Sequence, residues 1–179
     1  MSDLIRLPHH DASGNLQVVI EAPLGSTAKL KYDADVKIVR WERALPEGWA
    51  YPCAWGFIPS TLCDDGDPLD AGVLFEGSTW PGVVVPARAI GVLRVRQFLP
   101  NSEAQHNDRV VVVPVRSSDG SCPGTPERAL REKLEQFFVA VGEQTGKRVE
   151  IDGWGGPEDV ERAVREAAQR YQASSGEGS

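Results

Sequence analysis

Short runs of apolar and β-branched residues dominate the first half and middle of this chain. Leu16 to Ala22 is mostly apolar and is closed by Pro23. Lys29 to Asp33 and Val36 to Trp41 alternate polar with apolar side chains around a turn at Asp33-Ala34-Asp35, the period of a strand with one buried face. Ala71 to Phe75, Val83 to Val85, Ala89 to Val95 and Val110 to Val113 are further runs of strand length. Gly77, Pro81-Gly82, Pro86, Pro100 and Pro114 punctuate them. Many short strands divided by turn signals predict a small closed or nearly closed barrel.

Late in the chain the period changes. Thr125-Pro126-Glu127 reads as a helix start, with threonine as the cap and proline in the first turn. Leu130, Leu134, Phe137, Phe138 and Val141 then fall on one helical face, with Gly142 or Gly146 as the stop. Pro157-Glu158-Asp159 starts a second helix, whose stripe is Val160, Ala163, Val164, Ala167 and Tyr171. Ala173 to Ser179 is small and polar and reads as a disordered tail. No repeat or linker splits the chain. The expected architecture is α+β, a single domain over 1–172 in which a β-barrel carries two C-terminal helices packed outside it.

Composition narrows the class. A chain of 179 residues buries a core without disulfide staples. Its net charge of -7 argues against a nucleic-acid surface and against attraction to anionic membranes. Cys53, Cys63 and Cys122 are odd in number and form no CxxC pair, and no leader precedes them, so reduced thiols and a cytoplasmic location are expected. No apolar run is long enough for a transmembrane helix.

The segment richest in chemistry is Asp64-Asp65-Gly66-Asp67-Pro68-Leu69-Asp70. Glycine permits a tight turn there, and proline fixes the backbone after it. Asp65 and Asp67, two apart, share a face in extended chain, and Asp70 opens the next strand. Hard cations such as Mg²⁺ take oxygen ligands of this kind. Alone, the string reads as a solvated turn more often than as a site. Tyr51, Trp55 and Phe57, with Pro52 and Gly56 between them, precede it, and a solvated loop needs no such buried scaffold.

The string Asp65-Gly-Asp-Pro-Leu-Asp70 resembles the signature of the family I soluble inorganic pyrophosphatases. Tyr51-Pro-Cys53 and Gly56-Phe-Ile58 match the run that precedes it at the same spacing, and Gly153-Trp154 is similar as well. The likeness extends from about Val18 to Tyr171. It implies a five-stranded OB-like barrel with flanking helices, a homo-oligomer (a hexamer in bacterial members), Mg²⁺ as cofactor, and hydrolysis of pyrophosphate to two phosphates. By the same resemblance Asp65 and Asp70 are metal ligands, and Asp67 handles the proton of the attacking water. Lys29 and Arg43 hold substrate phosphates, and Glu21 and Tyr51 support the site.

Seven positions depart from the family pattern. Lys31 stands where the family has a glutamate, and Trp55 where it has a tyrosine. Gln97 and Asn107 stand at two aspartate positions, Arg109 at a lysine, and Val141-Gly142 at a Tyr-Lys pair. A slip of one residue would instead put Asp108 at the second aspartate position, with a bulge turning it inward. Glu103, in the loop before it, is either a stand-in ligand or a solvent-facing side chain. Amides supply no charge and Lys31 adds the opposite one, so a multi-metal cluster is disfavoured. Lys31 and Arg109 are candidate replacements for the missing phosphate-binding cation. The function expected is Mg²⁺-dependent hydrolysis of pyrophosphate with weakened activity. Two alternatives remain: a catalytically degenerate binding or regulatory protein of the same fold, or a hydrolase of a larger phosphate anhydride or ester.

Overall fold

The computed structural model of the chain describes residues 3–74, 77–99, 103–115 and 126–176. Cys122, Phe75, Pro100, the Thr125 cap and residues 177–179 of the expected tail lie outside them.

Among the described residues eight strands precede the first long helix, and a ninth strand, which the sequence pattern does not predict, lies between the two helices. The strands are β1 Leu16–Ala22, β2 Ala28–Asp33, β3 Ile38–Ala44, β4 Ala54–Ile58, β5 Leu69–Val73, β6 Val84–Phe98, β7 Gln105–His106, β8 Arg109–Pro114 and β9 Arg148–Gly155. Helix α1 is Arg128–Gln144, between β8 and β9, and α2 is Pro157–Gly176.

Five strands close a ring. β1 pairs with β4, β4 with β5, β5 with β8, β8 with β6, and β6 returns to β1. Only the β5–β8 pairing in this ring is parallel. The barrel expected from the strand pattern is therefore closed, and closure removes free sheet edges. Its interior holds Val18, Ile20, Ile58, Leu69 and Val110, each 2 % exposed or less.

β6 is one long strand where the sequence suggests two. Pro86 interrupts the apolar run and has no N–H to give, but its carbonyl accepts from the Val115 amide at 2.8 Å, so pairing continues through it. A register shift between Ala89 and Gly91 bends the strand round the barrel. The far half of β6 then leaves the ring to pair with β9 and β7. The β2–β3 hairpin forms a separate two-stranded sheet.

α1 buries Leu134, Phe137 and Phe138 beside Tyr51, Trp55 and Leu93. Leu130 and Val141 pack at the margin of that cluster. α2 buries Val160, Val164 and Ala167 against the barrel interior cluster. The helical period continues through Gly176, beyond the point where small polar composition predicts order to end. Ala173 to Gly176 is thus helical rather than tail. No described helix is long and apolar enough to cross a membrane.

Candidate active site

One cleft of about 480 Å³ opens between the barrel, the β2–β3 hairpin and α1. It gathers nearly every candidate residue. β1 contributes Glu21 and β2 contributes Lys29 and Lys31. β3 adds Arg43, the approach to β4 adds Tyr51, and β4 itself adds Trp55. The acidic loop supplies Asp65 and Asp67, and β5 carries Asp70 as its second residue.

The loop holds its carboxylates by local hydrogen bonds. Gly66 sits at φ +85°, the left-handed conformation that the turn requires. The Cys63 amide donates to the Asp67 carbonyl at 2.8 Å, and the Asp67 amide donates to Asp65 Oδ1 at 3.1 Å. Behind them, the buried Thr61 hydroxyl accepts from the Leu69 amide at 2.9 Å. The turn is thereby fastened to both flanks, and Asp65 and Asp67 both line the cleft.

Each of the three carboxylates meets a nitrogen from a position that departs from the family pattern. Lys31 Nζ lies 2.7 Å and 2.9 Å from the two oxygens of Asp67. Asn107 Nδ2 donates to Asp65 Oδ2 at 2.7 Å. Arg109 Nη1 pairs with Asp70 Oδ2 and also donates to Asn107 Oδ1. That second bond orients the amide: its oxygen faces Arg109 and its nitrogen faces Asp65. Asn107 thus offers the cleft a donor where a metal ligand would offer an acceptor.

Placement in the link between β7 and β8 decides between Asn107 and Asp108. Asn107 is buried and lines the cleft. Asp108 does not line it, and its Oδ1 accepts from the Val95 amide at 3.1 Å. Asp108 thus faces away from the cleft, and the expectation that it ligates a metal there is corrected. Alternation explains the outcome, since 107 and 109 face one side of the chain and 108 the other. Glu103 is exposed and outside the cleft lining. Arg40, also on β3, pairs with Asp33 at 3.0 Å and does not line the cleft, whereas Arg43 does.

Two residues that the sequence does not single out join the site. Lys147 lines the cleft, and its Nζ lies 3.4 Å from Gln97 Oε1. Gln144 accepts from Arg43 Nη1. Lys147 supplies a cation close to where Gly142 provides none. A side chain at Gly142 has no room, because a Cβ there would fall 2.3 Å from Val149 Cγ2.

Burial shapes the electrostatics. It pushes the Glu21 carboxyl up to about 7, although the Tyr32 amide, donating to it at 2.6 Å, opposes the rise. Burial raises Asp70 too, against the pull of Arg109. Desolvation disfavours the Lys31 charge, but Asp67 outweighs it and holds the ammonium above its usual value. Burial pushes Cys53 and Cys63 up to about 12, so neither is a nucleophile. Tyr51 and Trp55 stack with ring centres 6.1 Å apart and form an apolar floor with Phe137 and Phe138.

The profile of the family described as inorganic pyrophosphatase matches residues 18–172. The inorganic pyrophosphatase of Saccharolobus solfataricus is 35% identical over 169 residues, spanning 91% of this chain and 95% of that protein. That of Thermus thermophilus is 33% identical over 180 residues, spanning 96% and 99%. The crystal structure of the Thermus thermophilus enzyme superimposes with a TM-score of 0.81 at 32% identity, covering 96% of this chain and 99% of that one. A Neisseria gonorrhoeae inorganic pyrophosphatase structure gives 0.81 at 28% identity, covering 93% and 96%. A barrel of this closure, an acidic turn at its mouth and a family match across nearly the whole length lead to one conclusion: the chain belongs to the inorganic pyrophosphatase family.

Proposed function

We propose that this chain hydrolyses inorganic pyrophosphate to two phosphates, with help from Mg²⁺ and at a reduced rate. The observation that carries this reading is the convergence of Asp65, Asp67 and Asp70 in one cleft with Lys29 and Arg43. Names and folds of the relatives agree with it.

The donor set fits one divalent ion poorly and a cluster not at all. Mg²⁺ needs an octahedron of oxygens. Asp65 and Asp70 would hold one ion, once Asn107 and Arg109 give up the oxygens they now bond. Among the described residues no group of three or more His, Cys, Asp or Glu is placed to bind a metal. When bound, the ion would make the attacking water more acidic and offset the charge of the departing phosphate.

The chain's own residues would do the rest. Lys29 and Arg43 bind and orient the phosphates. Asp67 accepts a proton from water as its oxygen bonds to phosphorus and the bond from phosphorus to the bridging oxygen breaks. The departing phosphate takes up a proton. Asp67 does this only when Lys31 releases it, and that pairing is the reason for a slow rate. It also favours a second reading, in which the protein binds the anion without turning it over.

Phosphate release from pyrophosphate, with Mg²⁺ titrated and Asp67→Asn as the control, tests the proposal. Turnover that falls by about a hundredfold or more in the variant supports it. Absence of turnover at every Mg²⁺ concentration rejects it in favour of the binding protein. Assembly into a homo-oligomer belongs to the same reading, and the exposed Trp41 and Trp80 offer apolar surface for it. Light scattering that returned the monomer mass would remove that part alone.

A further inference from the structure

We propose that the cleft binds pyrophosphate, or another compact phosphate anhydride, without any divalent cation. The inference rests on the cleft being the phosphate site, as proposed above, and adds that Lys31 and Arg109 make metal unnecessary for binding.

Three bare carboxylates around a small space would repel a polyanion unless cations intervened. Here they are not bare. Lys31 covers Asp67, Asn107 covers Asp65 and Arg109 covers Asp70. The cleft as a whole is lined by five cationic side chains, Lys29, Lys31, Arg43, Arg109 and Lys147, against five carboxylates. A protein with a net charge of -7 thus presents a balanced cleft.

Donors also remain for a ligand. Arg109 Nε is buried with no hydrogen-bond partner, on a side chain only 8% exposed. Buried donors are nearly always satisfied, so an orphan lining a cleft points to an acceptor arriving from outside. Neither Arg43 nor Lys147 pairs with a carboxylate among the described residues; their contacts are the neutral Gln144 and Gln97. Phosphate oxygens suit all three, and an arginine fork suits them best. The Phe138 ring stacks 5.2 Å from the Arg109 guanidinium carbon and keeps the fork in place.

The test is calorimetric titration of imidodiphosphate, whose bridging N–H resists hydrolysis, into the protein in excess EDTA. Saturable one-site binding is expected, within about tenfold of the affinity measured with Mg²⁺. Lys31→Glu should weaken the chelated affinity by about tenfold or more, and Arg128→Ala, on the exposed face of α1, should leave it unchanged. Binding that appears only with Mg²⁺ would overturn the inference, as would full affinity in Lys31→Glu. Chelated binding without Mg²⁺-dependent turnover would sink the hydrolytic reading and leave this one standing. Turnover without chelated binding would do the reverse.

Discussion

Lys31 Nζ sits 2.7 Å and 2.9 Å from the two carboxylate oxygens of Asp67, so the candidate proton acceptor is held by a cation from the facing hairpin. With Lys31 on both oxygens, neither is free to accept from a water molecule. Both side chains are nearly half exposed, so the pair is worth little to folding, about 1 kcal/mol or less. Lys31→Ala should therefore leave the melting temperature almost unchanged and raise phosphate release from pyrophosphate by roughly tenfold. An unchanged rate would mean that Lys31 does not restrain Asp67.

Arg109 is a different case, because it is buried. It pairs with Asp70, donates to Asn107 and stacks on Phe138. Removing it leaves the Asp70 carboxylate without its partner in a poorly hydrated place. Arg109→Met should lower unfolding free energy by about 3 kcal/mol. Urea denaturation measures this, and Arg109→Met/Asp70→Leu should recover much of the loss.

The helix position opposite β9 is sterically closed. A Cβ at Gly142 would meet Val149 Cγ2 at 2.3 Å. Alanine there would gain on the order of 1 kcal/mol of helix propensity but lose about 1–3 kcal/mol to overpacking. Gly142→Ala should destabilise in the wild-type background and become neutral or stabilising with Val149→Ala. A double-mutant cycle of urea midpoints reads the coupling directly, and strict additivity would contradict the contact.

Glu21 predicts a pH dependence of stability. Its carboxyl rises from an ordinary 4.5 to about 7, chiefly by burial. The folded value lies above the unfolded one, so protonation favours the fold. The contribution is complete below 4.5 and is lost as pH rises through about 7. For a partly exposed group, about 2 kcal/mol is the expected size. Glu21→Gln should flatten the fall in urea midpoint between about pH 5 and about pH 8. An unaltered profile would assign the slope elsewhere.

These residues also show how far sequence reaches. The acidic turn was legible because Gly66 and Pro68 fix a backbone around carboxylates, and a small barrel because β-branched runs alternate with turn signals; its OB-like form came only from the family resemblance. β4 was hidden because Ala54–Ile58 is buried along its whole length and has no alternation to detect. β9 was hidden because it carries charged residues and pairs only with the far half of β6. Lys147 had no local signal at all; it enters the cleft because the chain turns sharply after α1. The partners of the three aspartates come from β2, the link between β7 and β8, and β8 itself. Only folded geometry assigns Lys31 to Asp67, Asn107 to Asp65 and Arg109 to Asp70.

That assignment is tested most directly by calorimetric Mg²⁺ binding to the wild type and to Lys31→Glu/Gln97→Asp/Asn107→Asp. The wild type should bind at most one ion, with a dissociation constant on the order of millimolar. The triple variant, with carboxylates in place of an ammonium and two amides, should bind at least about tenfold more tightly and take up more than one ion. Tight binding of several ions by the wild type, or no gain in the variant, would contradict the claim that nitrogen donors now hold the oxygens a metal would need.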